Sequence, residues 1–178
     1  MIIYNKLSNS LITDIEVHSF LNEAVFPNIA KSDSVYIYSD TYSHLGNFSI
    51  NGNSFLTSYI DKSELIYMMS QLTCQPYSFD EKKLKNVRCI SNVEIKKIFS
   101  VPKNLPEKYI RFFIKYKRAL YKEKYHLNHL SLYSKPIFNK DKTFAIIQFE
   151  SNYYGDLLIF KKIKNKWIKI AQENLWIS

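Results

Sequence analysis

Between residues 107 and 125, Lys108, Arg111, Lys115, Arg118 and Lys122 recur every three or four positions. On a helix such residues share one face, and a cationic stripe attracts phosphates, carboxylates or an acidic protein surface. The same segment carries Tyr109, Phe112, Phe113, Tyr116 and Leu120, which form a broad apolar face. Cations interleaved with accessible rings can follow a phosphate backbone and stack bases. Amphipathic packing instead predicts that these rings are buried and lie apart from the cations, which weakens the nucleic-acid reading and favours a protein partner.

The residues that do catalysis elsewhere are not gathered in this way. With only Gly46, Gly52 and Gly155, the chain has neither a Walker A loop nor a GxGxxG fingerprint. Glu123, His126 and His129 would share a face if the helix ran on, and two imidazoles with a carboxylate can bind zinc, but a polar, solvated helix end explains the same residues without metal and is the preferred reading. Cys74 would need His18 or His44 beside it to act as a nucleophile, and nothing local brings either close. Cys74 and Cys89 form neither a CxxC pair nor a disulfide framework, so two reduced, buried thiols are expected. Carboxylates are scattered, mostly at caps and solvated positions. No catalytic residue, metal ligand or cofactor is assigned.

At 178 residues with 46% hydrophobic and 16% aromatic side chains, the chain is too apolar for disorder and suits a single domain with a real core. The net charge of +9 is unevenly placed. Residues 1–89 hold 7 Lys and Arg against 9 Asp and Glu, while residues 90–178 hold 18 against 7. Such a field speeds encounter with anionic partners, although abundant Lys, Asn, Ile and Tyr also reflect an AT-rich coding sequence. The start at Met1 lacks a signal-peptide apolar core and no segment is long enough to span a bilayer. A cytoplasmic protein is expected if Met1 is the natural start; a chain trimmed of a lipoprotein signal would read the same.

The elements that must position these residues follow from periodicity. Helical spacing over 10–25, with Ser10 or Thr13 as N-cap and Pro27 beyond, predicts one helix. Ser34 to Asp40 reads as a strand, 41–57 as a looping segment, and Asp61 with Glu64 as a capping box opening a helix over 62–72. A short helix from Ser78, a strand over 87–90 and a further element over 93–99 lead to a boundary at Pro102 and Pro106. Residues 1–104 thus form a mixed helical part with short strands. Residues 105–178 comprise the basic helix 107–125 and an antiparallel meander with strands near 130–134, 143–150, 156–163, 166–172 and 174–177. Helices first and hairpin-linked strands last make an α+β fold, one domain over 1–178. Pro136 belongs at a strand end or edge. Gly155 marks a backbone angle or close approach denied to other residues, and Trp167 and Trp176 are expected to anchor the core.

Ser134-x-Pro136-x-Phe138, then Asp141, Ala145, Gly155, Lys161-Lys162, Trp167 and Trp176-Ile177-Ser178, resembles the closing segment of a group of bacterial proteins, many from Bacteroidetes. The resemblance covers roughly the last quarter of the chain and implies a shared sheet module without an established chemistry. Members often carry cysteines near the segment aligned with 151–156, where this chain keeps only Gly155. A strongly curved sheet would be similar to the cone-shaped nuclear transport factor 2 fold. Together these readings lead to an expectation of a small, soluble, non-catalytic protein-binding domain, most concretely an immunity-type protein that covers a toxin's active site. Its contact residues would be Lys108, Arg111, Lys115, Arg118 and Lys122. The alternatives are a nucleic-acid-binding module built on 107–125 and an enzyme with a pocket in the curved sheet.

Overall fold

The computed structural model describes residues 12–27, 35–41, 54–72, 77–125, 131–151 and 154–177. In chain order the elements are α1 (Asp14–Phe20) running into a π-helical turn (Leu21–Val25), β1 (Val35–Tyr38), β2 (Asp40–Thr41), α2 (Ser54–Thr57) and α3 (Lys62–Met69). There follow β3 (Tyr77–Ser78), a 3₁₀ turn (Glu81–Lys83), β4 (Val87–Ile90), α4 (Asn92–Phe99) and α5 (Glu107–Tyr125). The chain closes with β5 (Leu132–Tyr133), β6 (Ile137–Phe138), β7 (Phe144–Glu150), β8 (Tyr154–Ile163) and β9 (Lys166–Ile177).

Ala145, Ile146 and Ile147 are all fully buried. Successive strand residues point to opposite faces, so such a run requires cover on both sides of β7. The antiparallel sheet supplies the frame: β7 pairs with β5 and β6 along one side and β8 along the other, and β9 extends the sheet beyond β8. On one face Ala145, Ile147 and Phe160 pack with Val17, Phe20 and Leu21 of the first helical segment and with Ile37 and Val87. On the other, Ile146, Leu157 and Ile159 pack with Leu56, Ile60, Leu65 and Met68. The fold is α+β, with an open sheet held between two apolar layers.

Phe20 is the pivot of the first layer. Its ring meets those of Phe138, Phe160 and Trp167 edge-to-face at 5.3, 5.3 and 5.1 Å, which ties α1 to β6, β8 and β9 at once. The helix is held in place by a capping box in which the Thr13 hydroxyl accepts from the Glu16 amide and the Glu16 carboxylate accepts from the Thr13 amide.

The capping box expected at Asp61 does not form. Asp61 occupies the N-cap of α3 without a side-chain bond, because Glu64 is drawn across to the β6–β7 turn, where it accepts from the Lys140 amide at 3.2 Å. The single helix expected over 10–25 changes to π geometry at Leu21, and the expected loop over 41–57 contains α2 at its end. The strand expected over 34–40 divides: β1 pairs in parallel with β4, and β2 pairs antiparallel with β3. A parallel bridge between Ile37 and Ser131 links β1 to the start of β5. The strands expected over 166–172 and 174–177 are one strand, kept continuous by bulges opposite Ile159/Phe160 and Gly155/Asp156.

Lys164 and Asn165 form the tight turn between β8 and β9 with φ of 48° and 63°, the double left-handed geometry that suits strand twist. The sheet's outer strand, β9, is blunted by its two bulges and by Lys166 and Lys169, devices that discourage edge-to-edge pairing. In the separate β1–β4 pair the Cys89 amide of β4 donates to Glu81 Oε2 at 2.8 Å.

Truncating Phe20 removes the ring common to three aromatic contacts. The Phe20→Ala variant is expected to lose about 4 kcal/mol of stability, read as a lower midpoint in urea denaturation with the slope preserved.

Candidate functional site

Pro106 precedes a 19-residue helix rich in strong helix formers. α5 is about 28 Å long and packs against α4, whose own start is capped by Ser91 Oγ accepting from the Glu94 amide at 3.2 Å. Ile110, Phe113, Ile114 and Lys117 are half-buried and Tyr121 is buried. Burial, and then the charges of Glu94 and the neighbouring Tyr38, push the Tyr121 hydroxyl pKa up, so it stays an uncharged anchor.

The rings expected to be buried are the ones that face solvent. Phe112 is 72% exposed, Tyr116 54%, Tyr109 50% and Leu120 44%; only Phe113 of the expected set turns inward. The four exposed residues are spaced by three, four and four, a single stripe along the helix. Lys108, Arg111, Lys115 and Lys122 are exposed beside it, the first three each one position before a member of the apolar stripe and Lys122 two positions after Leu120, and Arg118 falls on the same helix. Among the described residues no ion pair engages the four exposed cations. The Lys108 ammonium lies 5.0 Å from the centre of the Tyr109 ring. The expected separation of rings from cations is therefore corrected: both are accessible on adjoining stripes.

This helix carries two apolar sets. Ile110, Phe113 and Tyr121 each follow a member of the exposed set, Tyr109, Phe112 and Leu120, by one position, and Ile114 lies one helical turn beyond Ile110. The aliphatic members Ile110 and Ile114 mark the set that seats the helix, a signal present in the sequence but overridden by the larger rings.

The other candidate residues have structural surroundings. Pro136 is buried immediately before β6, and Trp167 is half-buried against Phe20 and Phe138. Gly155 has no positive φ; a Cβ there would lie 2.4 Å from Trp176 Nε1, so close approach is what requires glycine. Trp176 is 39% exposed and lies over Gly155 instead of anchoring the core as expected, because the bulge at β9 turns it toward the sheet end.

The densest titratable cluster is committed internally. Asp14 accepts from Tyr77 and Lys83, and Lys83 also lies 3.6 Å from Asp80. His18 places Nδ1 2.7 Å from the Asp14 carbonyl oxygen, while its Nε2 accepts from the Asp80 amide at 3.0 Å. Backbone groups thus occupy both ring nitrogens, leaving no free base. Cys74, His44, His126 and His129 lie outside the described residues, so of the suggested zinc set only Glu123 is described, exposed near the end of α5. Among the described residues no group of three or more His, Cys, Asp or Glu could hold a metal. No described helix is long and apolar enough to cross a membrane.

Burial, reinforced by Glu81 and Asp80, pushes the Cys89 thiol pKa up to about 12, so it is almost entirely protonated at neutral pH. In a Cys74→Ser background, native protein at pH 8 is expected to leave Cys89 unmodified by iodoacetamide for far longer than the denatured chain, as followed by intact mass. For Asp14, partial burial would raise the pKa, but hydrogen bonds from Lys83 and Tyr77 outweigh it and the net shift is downward from 3.8. A depressed folded-state pKa stabilises above the unfolded value and is lost as pH falls through the folded one. The stability difference between wild type and Asp14→Asn is therefore expected to be full near pH 6 and to shrink below pH ~4, measured by urea denaturation across that range. Compared with models of protein families, with curated proteins and with solved structures, the chain matches none.

Proposed function

We propose that the chain is a non-catalytic protein-binding module whose docking element is α5. The observation that carries this reading is the exposed Tyr109, Phe112, Tyr116 and Leu120 stripe on a helix already seated by a separate apolar set. Anchors at such spacing are how an amphipathic helix occupies a groove in another protein, and large rings are the side chains that dominate binding energy. The adjoining Lys108, Arg111, Lys115 and Lys122 define the partner: an apolar groove with an acidic rim on the side that meets the cations. In its most concrete form this is an immunity-type inhibitor that inserts the helix into the active-site groove of an acidic target.

A second reading is favoured by the same accessibility. Exposed rings beside cations meet the requirements for single-stranded nucleic acid, with phosphates on the lysines and bases on the rings. Leu120 gives no stacking surface, and a convex helix offers a groove-shaped partner more contact than it offers a flexible strand, so the protein reading ranks first.

The test is affinity capture from nuclease-treated native lysate with wild type and Phe112→Ser in parallel, followed by binding measurements with the recovered protein. Wild type is expected to retain one protein in near-stoichiometric amount and Phe112→Ser to lose it. Against that protein, Phe112→Ala should cost about 2 kcal/mol, roughly 30-fold in Kd, while Arg111→Glu should mainly slow association. Equal capture by both baits would refute the docking helix. Retention of a single-stranded oligonucleotide, with affinity falling log-linearly in salt by about 0.7 per phosphate contact, would install the second reading in its place.

A further inference from the structure

The β8–β9 hairpin carries a second cationic surface, set at the margin of the five-stranded sheet opposite β5 and β6. Five lysines, Lys161, Lys162, Lys164, Lys166 and Lys169, fall within nine residues that contain no acidic side chain. Their surroundings differ from those on α5. Cross-strand register places Lys161 opposite Ile168 and Ile163 opposite Lys166, and directly opposed residues share a face. Ile163 is 42% and Ile168 45% exposed. The ammonium of Lys161 lies 5.1 Å from the centre of the half-buried Phe144 ring on the neighbouring strand. One face of the tip is thus an aliphatic patch bordered by lysines, presented on a turn of fixed geometry.

The geometry points to docking of this hairpin on an anionic phospholipid bilayer. Lysines meet the headgroups, and Ile163 and Ile168 enter the boundary between headgroups and acyl chains. Charge complementarity specifies the anionic surface. The aliphatic pair selects lipid over nucleic acid: isoleucine neither stacks on bases nor contacts phosphate favourably, and the tip's one large ring, Trp167, is held against Phe20 and Phe138. Weak electrostatic attraction joined to shallow apolar insertion is the two-signal arrangement that makes peripheral membrane binding stable. The surface is independent of α5, so a chain engaged through its helix would still have this tip to present.

Sedimentation with large unilamellar vesicles tests the assignment, using pure phosphatidylcholine and a mixture with 30 mol% phosphatidylserine. Wild type is expected to bind the mixed vesicles and not the neutral ones. A Lys164→Gln/Lys166→Gln variant should bind at least ~25-fold more weakly, about five-fold per lysine. Ile163→Ser/Ile168→Ser should also weaken binding, with charge unchanged. Arg111→Gln/Lys115→Gln on α5 should bind like wild type. Circular dichroism and thermal unfolding confirm that each variant is folded, as expected for exposed positions. The assignment is overturned if mixed vesicles are not preferred, or if the α5 variant loses binding while the hairpin variants retain it. It is also overturned if the isoleucine variant binds normally and single-stranded RNA displaces the protein from vesicles, which would make the tip a nucleic-acid surface.

Discussion

Contact between α1 and the sheet is centred on one aromatic ring, with Val17 and Leu21 packed beside it. Phe20 is surrounded by Phe138, Phe160 and Trp167, each meeting it nearly at right angles, the arrangement in which ring edges and faces attract. These three partners come from separate strands of the C-terminal sheet, so α1 and the last strands have to be assembled together. The Thr13–Glu16 box and the Asp14–Tyr77–Lys83 contacts hold the helix in the orientation that places the ring there. The opposite face of the sheet is closed separately by α2 and α3, including a reciprocal pair in which Gln71 donates to the Phe138 carbonyl and accepts from the Phe138 amide.

The α4–α5 pair stands outside this arrangement. None of its described side chains joins either of the two main apolar clusters, and among the described residues α5 is seated chiefly by α4 and by Tyr121. A helix attached along one side leaves most of its circumference in water. Exposed aromatic rings at that position lower no energy in the isolated chain, since burial is what makes rings stabilising. This imbalance between the stabilised sheet and the exposed helix is the observation on which α5 is proposed as a docking element.

The α+β architecture, the strands at 87–90 and 143–150, the helix over 107–125 and the Lys164–Asn165 turn could all be read from periodicity and turn chemistry. Those features are local. The parallel β1–β4 pair could not be read because its pairing depends on a crossover through distant sequence, and the Asp61 capping box failed because Glu64 found the Lys140 amide, a partner 76 residues away. The cationic stripe of α5 was legible residue by residue. Its apolar companion was misplaced inward because a helix apolar on two adjoining arcs gives periodicity no means of saying which arc the domain covers. Trp176 was assigned to the core by size alone, whereas Gly155 provides a flat backbone surface at the sheet end on which an indole can lie half in water.

The bulged outer strand has a consequence for the behaviour of this chain among its own copies. β9 offers twelve residues of edge, enough to template a second strand, but each bulge shifts the facing of the residues that follow it relative to the preceding register. A copy aligned with one stretch would be out of phase beyond the next bulge, its apolar side chains turned to the wrong face. Growth by repeated strand addition therefore meets a mismatch built into the first interface. The long C-terminal strand can complete the fold of its own chain without becoming the seed of a fibre.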